Sequence, residues 1–399
     1  VTTVHETLAR GETEVGAVGT ATALLDAYRP GAHRFFASPA RTLLAYGEHC
    51  QVPHGERPLT DRVRDTLADA RLAGEPAPVV IGAIPFDGSA PAALVVPSVL
   101  HRAPALRTDP LVAFPAPRPQ PSAWTVRPVP APEHYGAAVA AAVDRIGAGE
   151  LDKVVLARAL DLTAGQAPDV PAMLQRLARR DIHGYTFAVP TPAGGTLLGA
   201  SPELLVSRRG GALVANPLAG STPRSDDLAE DVRRAAALLE SPKDLHEHAV
   251  VVDAMRAVLA PYCAELHVPE RPSLVRTAAM WHLSTTVKGT LADPSVSALE
   301  LACAMHPTPA VCGAPTAHAR RVIGELEPFD RGWYTGMVGW GDAGGDGEWV
   351  VTIRCAEATE RGLRLFAGAG VVASSDPAAE TAETDAKFRT FLDAVGAES

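Results

Sequence analysis

The stretch KVVLARALDL (Lys153–Leu162) is followed by YTFAVPT (Tyr185–Thr191), TLLGAS (Thr196–Ser201), ELLVSRRG (Glu203–Gly210) and ALVANPLAGS (Ala212–Ser221). Each run is short, apolar and bounded by Gly, Pro, Asp or Ser, as strands are. Strands that succeed one another through turns point to antiparallel sheets rather than to a strict βαβ alternation. Further strand-like runs lie near His282–Leu291, Tyr334–Trp340, Glu348–Ala358 and Leu363–Val372. Helical periodicity marks about Asp226–Leu239, Lys243–Ala260, Ser297–Met305, Pro315–Leu326 and Pro377–Val395. The expected fold class is α/β of the α+β type, antiparallel sheets with helices packed outside.

Upstream, EHYGAAVAAAVDRIGAGE (Glu133–Glu150) reads as a helix. Nine prolines fall in the 29 residues from Pro104 to Pro132, too many for a helix or a central strand. That segment is expected to be an extended connector. It separates an N-terminal part, residues 1–103, with strand-like RTLLAYGEHC and PVVIGAIPFDG, from a catalytic region at 133–399. No fixed-period repeat is apparent.

The chain has 399 residues, 47% hydrophobic and 21% charged, ordinary for a globular protein with a large core. A net charge of −10 argues against a nucleic-acid binder, and no apolar run approaches the roughly 18 residues of a membrane span. The N-terminal VTTVHETLARGETE lacks a basic region followed by an apolar one, so no secretory signal is expected. Five scattered cysteines without a CxxC fit reduced thiols and a cytoplasmic setting.

Only four of the 36 basic residues are lysines: Lys153, Lys243, Lys288 and Lys387. In a chain that prefers arginine, a retained lysine is a candidate for a task needing an amine, since guanidinium does not deprotonate near neutrality. Chance accounts for four residues equally well.

In AAETAETDAKFRTFL, Glu380 and Glu383 are three apart and Lys387 follows Glu383 by four, so all three share one helix face. They form either a solvated face with an ordinary Glu–Lys pair or two carboxylates for a hard cation beside an ammonium. A second acidic pair follows Ser241-Pro242, a helix start with Asp244 placed as a capping acid. Glu247 lies one turn on, at the edge of a stripe formed by Val250, Val251 and Met255. If the two helices face each other, Glu247 and Glu383 supply direct oxygen ligands and Asp244 and Glu380 an outer set, a choice suited to Mg²⁺. His246, His248, His282 and His306 offer a competing metal set, but HEH lacks the spacing of HExxH.

Lys153 opens an apolar strand after the turn GAGELD, and Glu203 interrupts an apolar run in SPELLV. An exposed strand-end lysine is the plain reading of the first. Enclosed, the amine becomes a candidate base, and a carboxyl among apolar neighbours becomes a candidate acid with a raised pKa. Gly220 in PLAGST and Gly368 and Gly370 in LFAGAGVV bring bare backbone to strand ends, where amides hold anions. The last motif lacks the third glycine of a dinucleotide fingerprint.

Together these stretches resemble the chorismate-utilising enzymes, most closely the isochorismate synthases of catecholate siderophore (2,3-dihydroxybenzoate) pathways. The resemblance is carried in order by FFASPARTLLAYG, GAIPFD, DKVVLARAL, GASPELLVSRRG, NPLAGSTPR, SPKDLHEHAVVVDAM, MWHLSTTVKGTL, HPTPAVCGAP, ELEPFDRGWYTGMVGW, GEWVVTIRCAE, LFAGAGVV and AETAETDAKF. It implies a chorismate-binding fold, one large domain of two antiparallel-sheet-plus-helix layers with the site between them, and dependence on Mg²⁺. Lys153 would activate water for attack at C2 of chorismate, and Glu203 would protonate the departing C4 hydroxyl. Glu247 and Glu383 would ligate Mg²⁺, with Asp244 and Glu380 acting through waters. Arg354, Lys387 and the backbone of Gly368, Ala369 and Gly370 would meet the substrate carboxylates, and Gly220, Ser221, His282 and Phe366 would line the pocket. A monomer is expected on the same ground.

Thr222 stands where relatives tend to have Arg, and Cys312 and Ala314 also depart from the common pattern. Ammonia-using relatives lack a lysine matching Lys153, which favours water as nucleophile. Salicylate synthases share the lysine and also eliminate pyruvate, whereas TIRCAE and PLAGS look more like synthases without that lyase step. A silent small-molecule sensor on the same scaffold would have no need of an intact acid, base and four carboxylates.

Overall fold

A computed structural model of the chain describes residues 18–119 and 124–397. VTTVHETLARGETE and the middle of the proline-rich segment lie outside the described residues. Among the described residues every strand pairing is antiparallel. One sheet of ten strands runs through Gly313–Ala314, Lys153–Thr163, Gly362–Val371, Cys355–Thr359, Thr196–Ser201, Tyr185–Pro190, His33–Ala37, Arg41–Tyr46 and Val99–Pro104. Its tenth strand, Thr125–Val129, pairs with Lys153–Thr163. A second sheet of nine runs through Cys263–His267, Val287–Leu291, Ala212–Asn216, Leu204–Arg209, Gly347–Val351, Met337–Asp342, Val79–Ile84, Ala93–Val96 and Cys50–Gln51. A three-stranded sheet, absent from the expected plan, joins Leu218–Pro223, Met280–Ser284 and Ser273–Arg276.

The two large sheets face each other. Phe36, Leu43, Phe187 and Leu197 of the first meet Ile81, Val338, Trp340 and Val350 of the second in one buried cluster. The outer face of the first sheet is covered by the helices Thr20–Asp26, Val170–Arg180 and Pro377–Val395. That of the second is covered by Leu59–Leu72, Pro242–Leu259 and Ala298–Met305. Strands buried on both faces read as continuous apolar runs rather than alternating ones, which is why VVIGAI is buried throughout. No helix among the described residues is long and apolar enough to cross a membrane.

Several runs that read as one strand are two. ALVANPLAGS divides at Pro217 between the second sheet and the small one, and His282–Leu291 divides after Ser284 in the opposite direction. Glu348–Ala358 divides at 352–354, where the chain leaves the second sheet for the first. The proline-rich segment is less uniformly extended than expected. It holds two 3₁₀ turns, Leu106–Thr108 and Pro110–Ala113, and the edge strand Thr125–Val129, a position where a missing N–H is tolerated. Strands from the first hundred residues extend both large sheets.

Candidate active site

Two of the crossings between the large sheets carry charged residues that meet at one cavity. Glu203 lies between Thr196–Ser201 and Leu204–Arg209, and Arg354 between Gly347–Val351 and Cys355–Thr359. Arg354 has φ 49°, a left-handed conformation rare for a side chain of its size. Both side chains line a cavity whose empty space is about 560 Å³, part of it open solvent. Gly220, Ser221, Glu247, His282, Gly368, Gly370, Glu383 and Lys387 also line it.

Glu203 is buried, and that desolvation pushes its carboxyl up from 4.5 to about 7. The Leu218 amide and the charges of Lys153, Arg354 and Lys387 pull the other way without cancelling it. His282, paired in sheet register with Ser221, is buried with Nε2 unpartnered. Burial, then Arg354 and Lys387, hold its pKa well below the ordinary imidazole value, so the ring is neutral at pH 7.

Lys153 begins its strand fully buried, one layer behind the cavity wall. Its Nζ is 2.9 Å from Glu247 Oε1, an ion-pair distance without the direction of a hydrogen bond. Gly370 makes this arrangement possible: a Cβ there would stand 2.1 Å from Glu247 Oε1 and 3.0 Å from Lys153 Cε. Gly220 takes φ +80°, and the small sheet passes close to Asp244 at that point.

The carboxylates come from two helices. Ser241 caps Pro242–Leu259 by accepting from the Asp244 amide, and its hydroxyl donates to Asp244 Oδ2 at 2.5 Å. On this helix the buried stripe is Glu247, His248, Val251, Val252 and Met255, with Val250 only half-buried, one position off the expected register. On Pro377–Val395, Glu383 accepts from Ser221 Oγ at 2.8 Å and pairs with Lys387 at 2.6 Å. Lys387 also donates to the Gly368 carbonyl at 2.8 Å. Glu380 is buried and pairs with Lys243 at 2.5 Å. Burial raises the Glu380 and Asp244 carboxyls, and neighbouring carboxylates add to it, Glu383 for the first and Glu247 for the second. Glu383 is also pushed up by burial, but Lys387 and the Ser221 hydroxyl outweigh that and hold it low. Arg158 fixes the helix by donating to Thr384 Oγ1 at 2.7 Å and pairing with Asp385.

Three of the four lysines in the chain thus each hold one of these glutamates. As the side chains stand, no three His, Cys, Asp or Glu groups among the described residues converge as a metal cluster. The donors are nevertheless all carboxylate oxygens, brought together from two helices, and the charges of Glu383 and Glu247 help to raise the Glu380 and Asp244 carboxyls, a repulsion that a hard cation relieves.

Not every expected residue reaches the cavity. Phe366 stacks on Tyr334, centroids 5.0 Å apart, and sits behind it. Ala369 points to the opposite face of its strand from Gly368 and Gly370. Asp244 and Glu380 stand back from the wall. Thr222 is not at the cavity, and Cys312 packs into a core cluster with Val154 and Val322. His248 bridges the Ala219 carbonyl and Thr285 Oγ1, a structural tie rather than a ligand. The sequence reading missed Tyr334, Thr335, Val155 and Val311, which also line the cavity, and the Lys243–Glu380 pair. Lysine scarcity was the one signal pointing to Lys243.

The chain matches the family model described as chorismate binding enzyme over residues 101–396. It is 53% identical over 386 residues to isochorismate synthase DhbC of Bacillus subtilis, covering 94% of this chain and 96% of the relative. It is 42% identical over 368 residues to the vibriobactin-specific isochorismate synthase of Vibrio cholerae, covering 91% of each. A crystal structure assigned to a 2,3-dihydroxybenzoate-specific isochorismate synthase of Bacillus anthracis superposes with a TM-score of 0.89 at 50% identity, over 95% of this chain and all of that one.

Proposed function

The chain belongs to the chorismate-binding enzyme family, and from that premise we propose that it is an isochorismate synthase supplying a siderophore pathway. Chorismate is the substrate. Water adds its oxygen at C2 and gives a proton to Lys153 Nζ, the ring double bonds shift, and the C4 hydroxyl departs as water with the proton of Glu203. The observation that carries this reading is a pair of buried groups beside one cavity: Glu203 in its wall, whose carboxyl at about 7 retains a proton near neutrality, and Lys153 just behind the wall, held by Glu247.

Glu247 and Glu383 would hold Mg²⁺, with Asp244 and Glu380 behind them. When bound, the ion supplies positive charge for the ring carboxylate of the substrate. Arg354 and Lys387 face the cavity as cations for a dianion, which an acidic protein must gather locally. The neutral His282 presents an unpartnered Nε2 to a substrate polar group. Ser221, now bound to Glu383, holds that carboxylate in place. The protein acts as a cytoplasmic monomer. Chorismate turnover followed by chromatography tests the reading: isochorismate as product supports it, and an aminated ring overturns it.

A further inference from the structure

The strand that carries Lys153 has an incomplete edge. One side pairs continuously with Gly362–Val371. On the other, Gly313–Ala314 covers Lys153 and Val154, Thr125–Val129 covers residues 159–163, and among the described residues no strand covers the gap. Buried backbone groups need partners: the Val155 amide donates to the Cys312 carbonyl at 2.9 Å, and side chains serve the Val155 carbonyl and the Ala157 amide. Arg331 Nη2 donates to the Val155 carbonyl at 2.7 Å, and Glu327 Oε1 accepts from the Ala157 amide at 2.8 Å. The guanidinium and carboxylate thus stand in for an N–H and a C=O of a missing strand.

The two side chains also bind each other, Nη2 to Oε1 at 2.5 Å and Nε to Oε2 at 2.9 Å, and each is only 2% exposed. Arg331 Nη1 reaches the Val311 carbonyl at 2.7 Å and Thr335 Oγ1 at 3.3 Å. Val155, Val311 and Thr335 all line the cavity, so one ion pair locks three separate parts of its wall together. Phe86 closes the arrangement from behind. Its ring centroid is 4.8 Å from the Arg331 guanidinium, and its amide donates to the Gly332 carbonyl at 2.9 Å. Phe86 precedes the residues matched by the family model, so the N-terminal part buttresses the catalytic wall.

We propose that Glu327 and Arg331, backed by Phe86, are positioning residues for the reaction: they fix the strand bearing Lys153 against the wall opposite Glu203. This rests on Lys153 being the base, as proposed above. Their effect should fall on the chemical step more than on binding, because Arg331 and Glu327 touch no part of the substrate's expected place. A lysine at position 331 keeps the charge but lacks the fork that spans two carbonyls and a carboxylate.

The test compares Arg331→Lys and the milder Phe86→Leu with the unsubstituted protein, well below each melting midpoint. It measures kcat, KM and amide hydrogen exchange at Ala157. For Arg331→Lys we expect faster Ala157 exchange and kcat reduced by about 10- to 100-fold with KM changed by less than about threefold, the pattern of a base misplaced at a distance. Phe86→Leu should shift kcat and exchange in the same directions by a smaller factor. If Arg331→Lys fails to fold, Phe86→Leu decides alone. An unchanged kcat in folded variants, or a loss confined to KM, overturns the positioning role. Absence of isochorismate from the unsubstituted protein would instead count against the function itself.

Discussion

Lys153 Nζ and Glu247 Oε1 lie 2.9 Å apart, and the lysine side chain has no exposed surface. In a chain with 32 arginines by difference (36 basic residues less four lysines), a lysine at this place is a chemical choice. Lys153→Met keeps most of the volume and removes the amine. It should fold and lose turnover by about 10²–10⁴-fold, the usual worth of a positioned proton acceptor, with KM little changed. Steady-state kinetics beside circular dichroism check this.

Glu203 should set an alkaline limb. Its carboxyl is raised to about 7 by burial, so the proton it delivers in the proposed reaction is lost as pH climbs through that value. Turnover should decline above about pH 7, and Glu203→Gln should lose activity together with that limb. Stability follows the same sign. The folded state prefers the protonated form, so this group's contribution is complete below 4.5 and disappears as pH rises through about 7. The loss is about 3 kcal/mol, which Glu203→Gln should abolish in denaturant titrations at two pH values.

Gly370→Ala tests the close approach directly. A methyl group there would overlap Glu247 Oε1 at 2.1 Å, and the backbone φ is not the obstacle. The substitution should cost about 1–3 kcal/mol by overpacking and reduce kcat by displacing the Lys153–Glu247 pair. Thermal melts and kinetics together distinguish it from a neutral change.

Chelation should abolish turnover, and added Mg²⁺ should restore it. Asp244→Asn and Glu380→Gln should each raise the Mg²⁺ requirement by about 10- to 100-fold, as outer groups do, while Glu247→Gln should do so more severely. Mn²⁺ binding followed by electron paramagnetic resonance reads the same order without relying on activity.

The helices and most strands were legible because apolar periodicity is local. The sheet-to-sheet crossings were not. PLAGS and TIRCAE read as parts of unbroken strands, and only packing reveals that Pro217 and Arg354 mark a change of sheet. That Glu380, Glu383 and Lys387 share one helix face could be read because they obey helical spacing. Their other partners could not, since Lys243 meets Glu380 across two helices. Phe366 and Tyr334 look alike as aromatic residues in apolar company, and stacking places one behind the other. The Glu327–Arg331 pair resembles an ordinary exposed i,i+4 pair until burial shows otherwise.

Incubating the purified protein with chorismate and Mg²⁺, then separating the products, decides whether the enzyme makes isochorismate alone. Isochorismate is expected without salicylate or pyruvate, and with no nitrogen incorporated when ammonium is present. Release of pyruvate with salicylate, or formation of an aminated ring, would contradict this.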